Sequence, residues 1–318
     1  MNKVFVLGSI NMDLVFSINR IPELGETLKS SNFFMTPGGK GANQAVACSK
    51  QGISTFMIGS VGNDELSKEC KKSLINQGVD CTYVKEVKKT SVGIAGIFVE
   101  SGDNRIITYA GANKIHDSKS IKEILEKNAS KDDYLLTQLE IPLEVVKETL
   151  KSAKQLGMKT VLNAAPAQKL TKDVLSLVDI LVVNETEIEI ITEIKLKDEI
   201  STKSAIYKLL DSGVKSVVLT LGEKGSLYSD GYETITLGVY KVDVVDTTAA
   251  GDTYIGSLIS QLINKSEVKQ AMKYATSASA LCITKKGSQN SIPKKAEVLN
   301  FLTKEGEINE YKKNNSRL

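Results

Sequence analysis

The segment Asp246-Thr247-Thr248-Ala249-Ala250-Gly251-Asp252 carries the residue types best suited to chemistry. It follows a strand-like run at 242–245, crosses small side chains and leads into a helical pattern over 253–263. Small side chains let successive backbone N–H groups face one point, and a helix N-terminus adds partial positive charge. The turn is thereby built to hold an anion such as a phosphoryl oxygen. Asp252 falls in the first helical turn, where a carboxylate is favoured ionised and able to accept a proton. An anion hole beside a base fits phosphoryl transfer to a hydroxyl. Taken alone, Asp252 fits a helix cap equally well.

Four further clusters add polar groups. Pro37-Gly38-Gly39-Lys40-Gly41-Ala42-Asn43 lets the backbone approach a ligand closely and presents Lys40 and Asn43; it is not a P-loop, and a structural glycine turn is the alternative. Gly8-Ser9-Ile10-Asn11-Met12-Asp13 follows the first apolar run, and Asn11 and Asp13 suit vicinal hydroxyls unless they only form a turn. Glu140 ends another strand-like run and could reach the same crevice. Asn184-Glu185-Thr186-Glu187 could hold a hydrated Mg²⁺ through waters, or cap the helix that follows. Thr220-Leu221-Gly222-Glu223-Lys224-Gly225 could cradle a nucleotide tail, or be only a hairpin.

These clusters need a frame to bring them together. Short apolar runs (4–7, 56–58, 134–139, 160–162, 180–183, 217–221) alternate with amphipathic stretches (41–51, 64–76, 143–156, 171–177). That alternation predicts an α/β fold, a mostly parallel sheet flanked by helices. Segments 13–36 and 92–110 break it with strand-like runs at 14–18, 93–99 and 105–109 around a turn at 101–104. They form either a small separate sheet serving as a lid or an antiparallel edge on the main sheet. If Gly93, Ala95 and Ile97 alternate, one lid face is small and apolar. Residues 1–303 are expected to form a single domain, with a polar tail at 304–318.

The chain has 318 residues, 41% of them hydrophobic and 25% charged, the proportions of an ordinary globular protein. A net charge of +3, spread along the chain, gives no patch for nucleic acid. Arginine stands only at Arg20, Arg105 and Arg317, so a phosphate site must rely on backbone N–H groups and lysine. No run is long enough to span a membrane, and the apolar core at the N-terminus is too short for a signal peptide. The four cysteines form no CxxC pair and are expected to be reduced thiols in a cytoplasmic protein. The single histidine, His116, lies in a polar stretch and is expected to be a solvated helix-start residue.

In this order, GSINMD, PGGKGANQA, GDNRIITYAGAN, QLEIP, NETE, TLGEKG, DTTAAGD and Lys285-Lys286-Gly287-Ser288-Gln289 resemble the ribokinase group of the phosphofructokinase-B sugar-kinase family. The likeness spans residues 4 to about 301 and implies a ribokinase-like α/β body with a small β lid. It implies ATP-dependent phosphorylation of D-ribose at its primary 5-hydroxyl. Asn11, Asp13, Gly39, Lys40, Asn43 and Glu140 would bind the sugar, with Asp252 as base and Ala249, Ala250 and Gly251 as anion hole. Asn184, Thr220, Leu221, Gly222, Glu223, Lys224, Gly225, Gly251 and Thr276 would line the ATP site, and Glu187 would support Mg²⁺ and phosphate. A K⁺ site would draw on Asp246, Thr248, Cys282, Lys285, Gly287 and Ser291, with Cys282 and Lys285 acting through their carbonyls. Paired lids would make a homodimer. Many relatives have glycine where this chain has Ala249. The rival readings are a kinase for deoxyribose, fructose or a nucleoside, and a sugar or nucleotide sensor without activity.

Overall fold

The computed structural model describes residues 2–100 and 103–306. The expected turn at 101–104 therefore lies partly outside the described residues, as does the tail from 307 onward. The chain opens with β1 (Val4–Leu7), β2 (Asn11–Ile18), β3 (Asn32–Gly38) and α1 (Lys40–Lys50). β4 (Thr55–Val61), α2 (Glu65–Asn76), β5 (Asp80–Glu86), β6 (Gly93–Glu100), β7 (Asp103–Tyr109) and α3 (Ser118–Asn128) follow. Next come β8 (Tyr134–Thr137), α4 (Leu143–Gln155), β9 (Lys159–Asn163), α5 (Lys172–Leu175), β10 (Ile180–Asn184), α6 (Glu185–Thr192), α7 (Glu199–Asp211) and β11 (Ser216–Thr220). The hairpin β12 (Ser226–Ser229) and β13 (Thr234–Leu237) precedes α8 (Ala250–Ile263), α9 (Val268–Ile283) and α10 (Lys295–Lys304).

The large sheet has nine strands in the order β13-β12-β11-β10-β9-β8-β1-β4-β5. Every pair from β11 to β5 is parallel, and β12 and β13 add an antiparallel edge. In β1, Val4 and Val6 pack on one side with α1, α2, α8 and α9, while Phe5 and Leu7 pack on the other with α3 to α7. Burial on both faces explains why β1 is apolar at every position instead of alternating.

β3-β2-β6-β7 form a separate four-stranded sheet, so the edge alternative falls and the small-sheet reading stands. β2 runs parallel to β6, pairing Asn11 with Gly93, Asp13 with Ala95 and Val15 with Ile97. These residues share one face, and Val15, Ala95 and Ile97 form a small buried cluster there. Asn11 and Asp13 thus lie inside a strand and not in a turn after β1. Helix α1 begins at Lys40, one residue earlier than the pattern suggests. The helix expected over 171–177 is a single turn, because the N–H groups of Leu177 and Val178 reach back three residues in a tighter 3₁₀-like end.

All four thiols are buried and unpaired. Burial pushes Cys48 and Cys70 up to about 12. Cys48 sits in the main core, and the Cys70 Sγ donates to the Asn11 carbonyl of β2 at 3.3 Å. Among the described residues no helix is long and apolar enough to cross a membrane.

Candidate active site

From β1 the chain moves one way to β4 and β5, then returns to the other side through β8 to β11. Strand order therefore reverses beside β1, opening a crevice at the carboxyl ends of β1 and β8, where α/β sheets hold their ligands. Ser9, just past β1, and the Lys40 backbone N–H both donate to Glu140 Oε2, the latter at 3.1 Å. This joins the ends of β1 and β8 to the start of α1. Gly39 makes the joint possible: its φ is +91°, and a Cβ there would lie 2.8 Å from the Asn11 nitrogen.

Asn11, Asp13, Asn43 and Asp252 are all buried at this crevice. The Asn113 amide, between β7 and α3, fixes Asn11: its Nδ2 donates to Asn11 Oδ1 at 2.7 Å and its Oδ1 accepts the Ile10 N–H at 3.0 Å. The Asp13 carboxyl packs so closely under Gly38 that a Cβ there would lie 2.1 Å from Oδ2. Burial, with Glu140 and Asp252 nearby, pushes Asp13 up to about 7 against the pull of Lys40. Burial would lower the Lys40 ammonium, but Asp252, Glu140, Glu187 and Asp13 around it hold it above its ordinary value.

Asp252 does not cap its helix. Its Oδ2 accepts from Asn43 Nδ2 at 3.0 Å and its Oδ1 from Gln44 Nε2 at 2.9 Å, both on α1. Position in the first turn suggested an easily ionised carboxylate. Instead burial raises its pKa, with Lys40, Asn43 and Gln44 pulling the other way. Asn43 Oδ1 is buried beside it without a partner among the described residues, an acceptor left for a ligand hydroxyl.

Ala249 precedes α8 in the left-handed conformation, φ 61° and ψ 11°, which turns the chain sharply and starts the helix without a side-chain cap. Gly251 has an ordinary φ, and a Cβ built on it meets nothing within 4 Å. Gly251 is exposed, and the protein itself sets no steric need for glycine here.

The nucleotide-side residues lie along the ends of β10 and β11. Asn184 and Glu187 form the reciprocal cap of α6: Asn184 Oδ1 accepts the Glu187 N–H, and Glu187 Oε2 accepts the Asn184 N–H, each at 2.8 Å. The capping alternative is thus realised, and Glu187 also faces Lys40 through space. Thr220 ends β11, and Leu221 to Gly225 make a 3₁₀ turn into the antiparallel β12, the hairpin foreseen as the alternative. Gly225 is required by the protein itself, since a Cβ would lie 1.9 Å from the Leu237 carbonyl oxygen. Gly222, Glu223 and Lys224 are exposed. Thr276 is buried in α9, its hydroxyl donating to the Met272 carbonyl at 2.9 Å.

The third group also converges. Asp246 accepts the Thr248 and Gly287 N–H groups, each at 2.9 Å. Cys282 Sγ lies 3.1 Å from Ser291 Oγ and 3.6 Å from the Thr248 carbonyl. The Lys285 ammonium turns to Glu297 at 2.8 Å. Among the described residues no set of three or more acidic, cysteine or histidine side chains could hold a metal by itself.

Sequence reasoning missed Ser9, Gln44, Asn113, Gln138 and Asn163. Gln44 follows Asn43 directly, and Asn113 closes the YAGAN motif, so both lay within noted segments. His116 is also not solvated as expected: burial lowers it to about 4, and its Nε2 is buried without a partner among the described residues.

Residues 1–295 match the pfkB family of carbohydrate kinases. The chain is 40% identical over 298 residues to a ribokinase of Haemophilus influenzae, covering 93% of this chain and 97% of that protein. It is 35% identical over 292 residues to a deoxyribokinase of Salmonella typhi, covering 91% and 95%. The structure is similar to that of Arabidopsis thaliana ribokinase complexed with ribose and ATP, with a TM-score of 0.87 and 31% identity over 95% of this chain and 99% of that one. A buried carboxylate held by two amide donors and a helix start without a side-chain cap meet at this sheet switch point. The chain belongs to the pfkB family of carbohydrate kinases.

Proposed function

We propose that this chain transfers the γ-phosphoryl group of ATP to the primary 5-hydroxyl of D-ribose, giving ribose 5-phosphate. The observation that carries this is Asp252, buried between two amide donors, beside the unfilled space at Gly251 and the acceptor left open on Asn43. Asn11, Asp13, Gly39, Lys40, Asn43 and Glu140 hold the sugar hydroxyls. Asp252 takes the proton from the attacking hydroxyl, and the N–H groups of Ala249, Ala250 and Gly251 receive the charge of the transferring phosphoryl. The nucleotide lies along Asn184 and the 220–225 turn, with Thr276 beside it.

The described residues offer no all-protein metal cage, which fits Mg²⁺ carried on the phosphates and waters, with Glu187 in support. When bound, Mg²⁺ neutralises phosphate charge in a crevice already rich in carboxylates. Carbonyl, hydroxyl and carboxylate oxygens at Asp246, Thr248, Cys282, Lys285, Gly287 and Ser291 have the chemistry for K⁺. The lid covers the sugar with Val15, Ala95 and Ile97 and keeps water from the phosphoryl group. Its other face pairs two copies into a homodimer, and the enzyme works in the cytoplasm.

The test is ADP release with Mg-ATP and ribose, deoxyribose, fructose or adenosine, each in K⁺ and in Na⁺. Preference for ribose, raised by K⁺, is expected. Preference for another acceptor overturns the sugar assignment, and no turnover by folded protein favours a sensor. Asp252→Asn is expected to lower kcat by ~10²–10⁴-fold with ribose binding little changed. A near-normal kcat would remove Asp252 from its role.

A further inference from the structure

Behind Asp252, on the side away from the sugar crevice, stands a buried chain of amides. Gln44 Nε2 donates to Asp252 Oδ1 at 2.9 Å and to Asn163 Oδ1 at 3.0 Å. Gln138 Nε2 donates to Gln44 Oε1 at 2.7 Å, and Asn163 Nδ2 donates to the Val182 carbonyl at 3.2 Å. Gln44 and Gln138 have no exposed surface.

Both ends of this chain can only accept. The Val182 carbonyl must face the Asn163 NH₂, so the Asn163 oxygen faces Gln44 and Gln44 turns its NH₂ toward it. The ionised Asp252 carboxylate demands the same orientation of Gln44. Gln138 Nε2 donates to the Gln44 oxygen and so supports the same orientation, while Gln138 Oε1 is buried without a partner among the described residues. Nothing in the relay is charged, so its direction survives changes in pH.

We propose that Gln44 is a positioning residue for the reaction: locked by Gln138 and Asn163, it fixes the rotamer of Asp252 and keeps this carboxylate a proton acceptor. The proposal rests on the reading of Asp252 as the base. Asn43 holds the other oxygen from the sugar side, so the two neighbours divide the work. Asn43 links base to ligand, and Gln44 ties the base to the ends of β8 and β9. The charged and titratable groups facing Asp252 are Lys40 from α1, Asp13 from β2, Glu140 after β8, Glu187 from α6 and Cys282 from α9. Of these only Lys40 favours ionisation, so loss of an amide donor is felt directly.

The test is Gln44→Met, which keeps length and removes the donor, measured by the single-turnover rate of sugar phosphate formation. That rate is expected to fall about 10–100-fold with the ribose KM nearly unchanged. The acid limb of its pH profile is expected to move upward, because a carboxylate without its donor holds its proton more tightly. Gln138→Met, which leaves Gln44 in place but unlocks it, should shift the same limb by less, and it carries the test if Gln44→Met does not fold. An unmoved acid limb and a rate within twofold of the parent, in folded protein, overturn the proposal, as does a raised KM at an unchanged rate. Asp252→Asn, run in parallel, separates the two failures. If it is active, the base assignment fails; if it is inactive while the amide variants behave as the parent, only the relay fails.

Discussion

Asp13 illustrates how a single residue can work against the fold it belongs to. Its carboxyl is buried between like charges and holds its proton to about pH 7. The folded chain therefore binds one more proton than the unfolded chain from the ordinary carboxylate range up to 7, and stability falls as pH rises through that window. Asp13→Asn is expected to stabilise the free protein at pH 8 by ~1–3 kcal/mol in urea unfolding, while weakening ribose binding because an acceptor is lost. Equal stability of the two proteins at pH 8 would contradict the burial argument. Ala249 carries a different cost. Its φ of 61° is unfavourable for a residue with a Cβ by roughly 1–2 kcal/mol, part of which glycine would return as unfolded-state entropy. Ala249→Gly should raise Tm slightly, and a lower Tm would show that the Ala249 methyl packs usefully.

At the scale of elements, much of the site was legible because its residues sit where strands end and helices begin. The 246–252 segment could be read as an anion hole because small residues lead into a helix, and that helix is present; the strand expected before it at 242–245 is not, since the chain runs without a strand from β13 to α8. Glu140 could be placed at the crevice of Asn11 and Asp13 from the ends of parallel strands, whereas Lys40 and Asn43 joined them only through the family resemblance. What stayed hidden depends on packing across elements. The cap reading of Asp252 fell because its carboxylate is taken by Asn43 and Gln44, 209 and 208 residues away along the chain. Likewise the lid could be seen as strands, but its pairing joins β2 to β6 across a long separation. The lid's outer face pairs Phe16 with Phe33 and Phe98 and leaves Phe33, Met35, Ile107 and Tyr109 exposed. Ile107, 70% exposed, should tolerate Ile107→Glu without loss of folding. If paired lids make the dimer, light scattering should find that variant shifted toward monomer; an unchanged mass places the interface elsewhere.

For the whole molecule, His116 and Asp13 are buried groups that act on acid stability with opposite sign. Burial lowers His116 to about 4, so between its ordinary value and 4 the unfolded chain takes up a proton that the folded chain does not. Stability then falls as pH drops, by ~1–2 kcal/mol for a partly shielded ring. Asp13 supplies the reverse slope over much of the same range. Compared with the parent between pH 4 and 7, His116→Gln is expected to gain stability toward acid and Asp13→Asn to lose it, since Asp252 and Glu187, which burial also raises, are common to all three proteins. Asp179, held down to about 2 by Lys154 and Lys215 against burial, acts only at lower pH and does not blur the comparison. Parallel slopes for all three proteins would refute this balance.

The four buried thiols give the molecule a clock that needs no added label. A thiol near pKa 12 surrounded by packed side chains reacts only when its surroundings open. Both thiols lie in the same core cluster, but Cys70 also touches β2, a strand of the small sheet. The ratio of their alkylation rates therefore separates motion of the cover from unfolding of the body. A sugar that closes the cover should slow Cys70 more than Cys48.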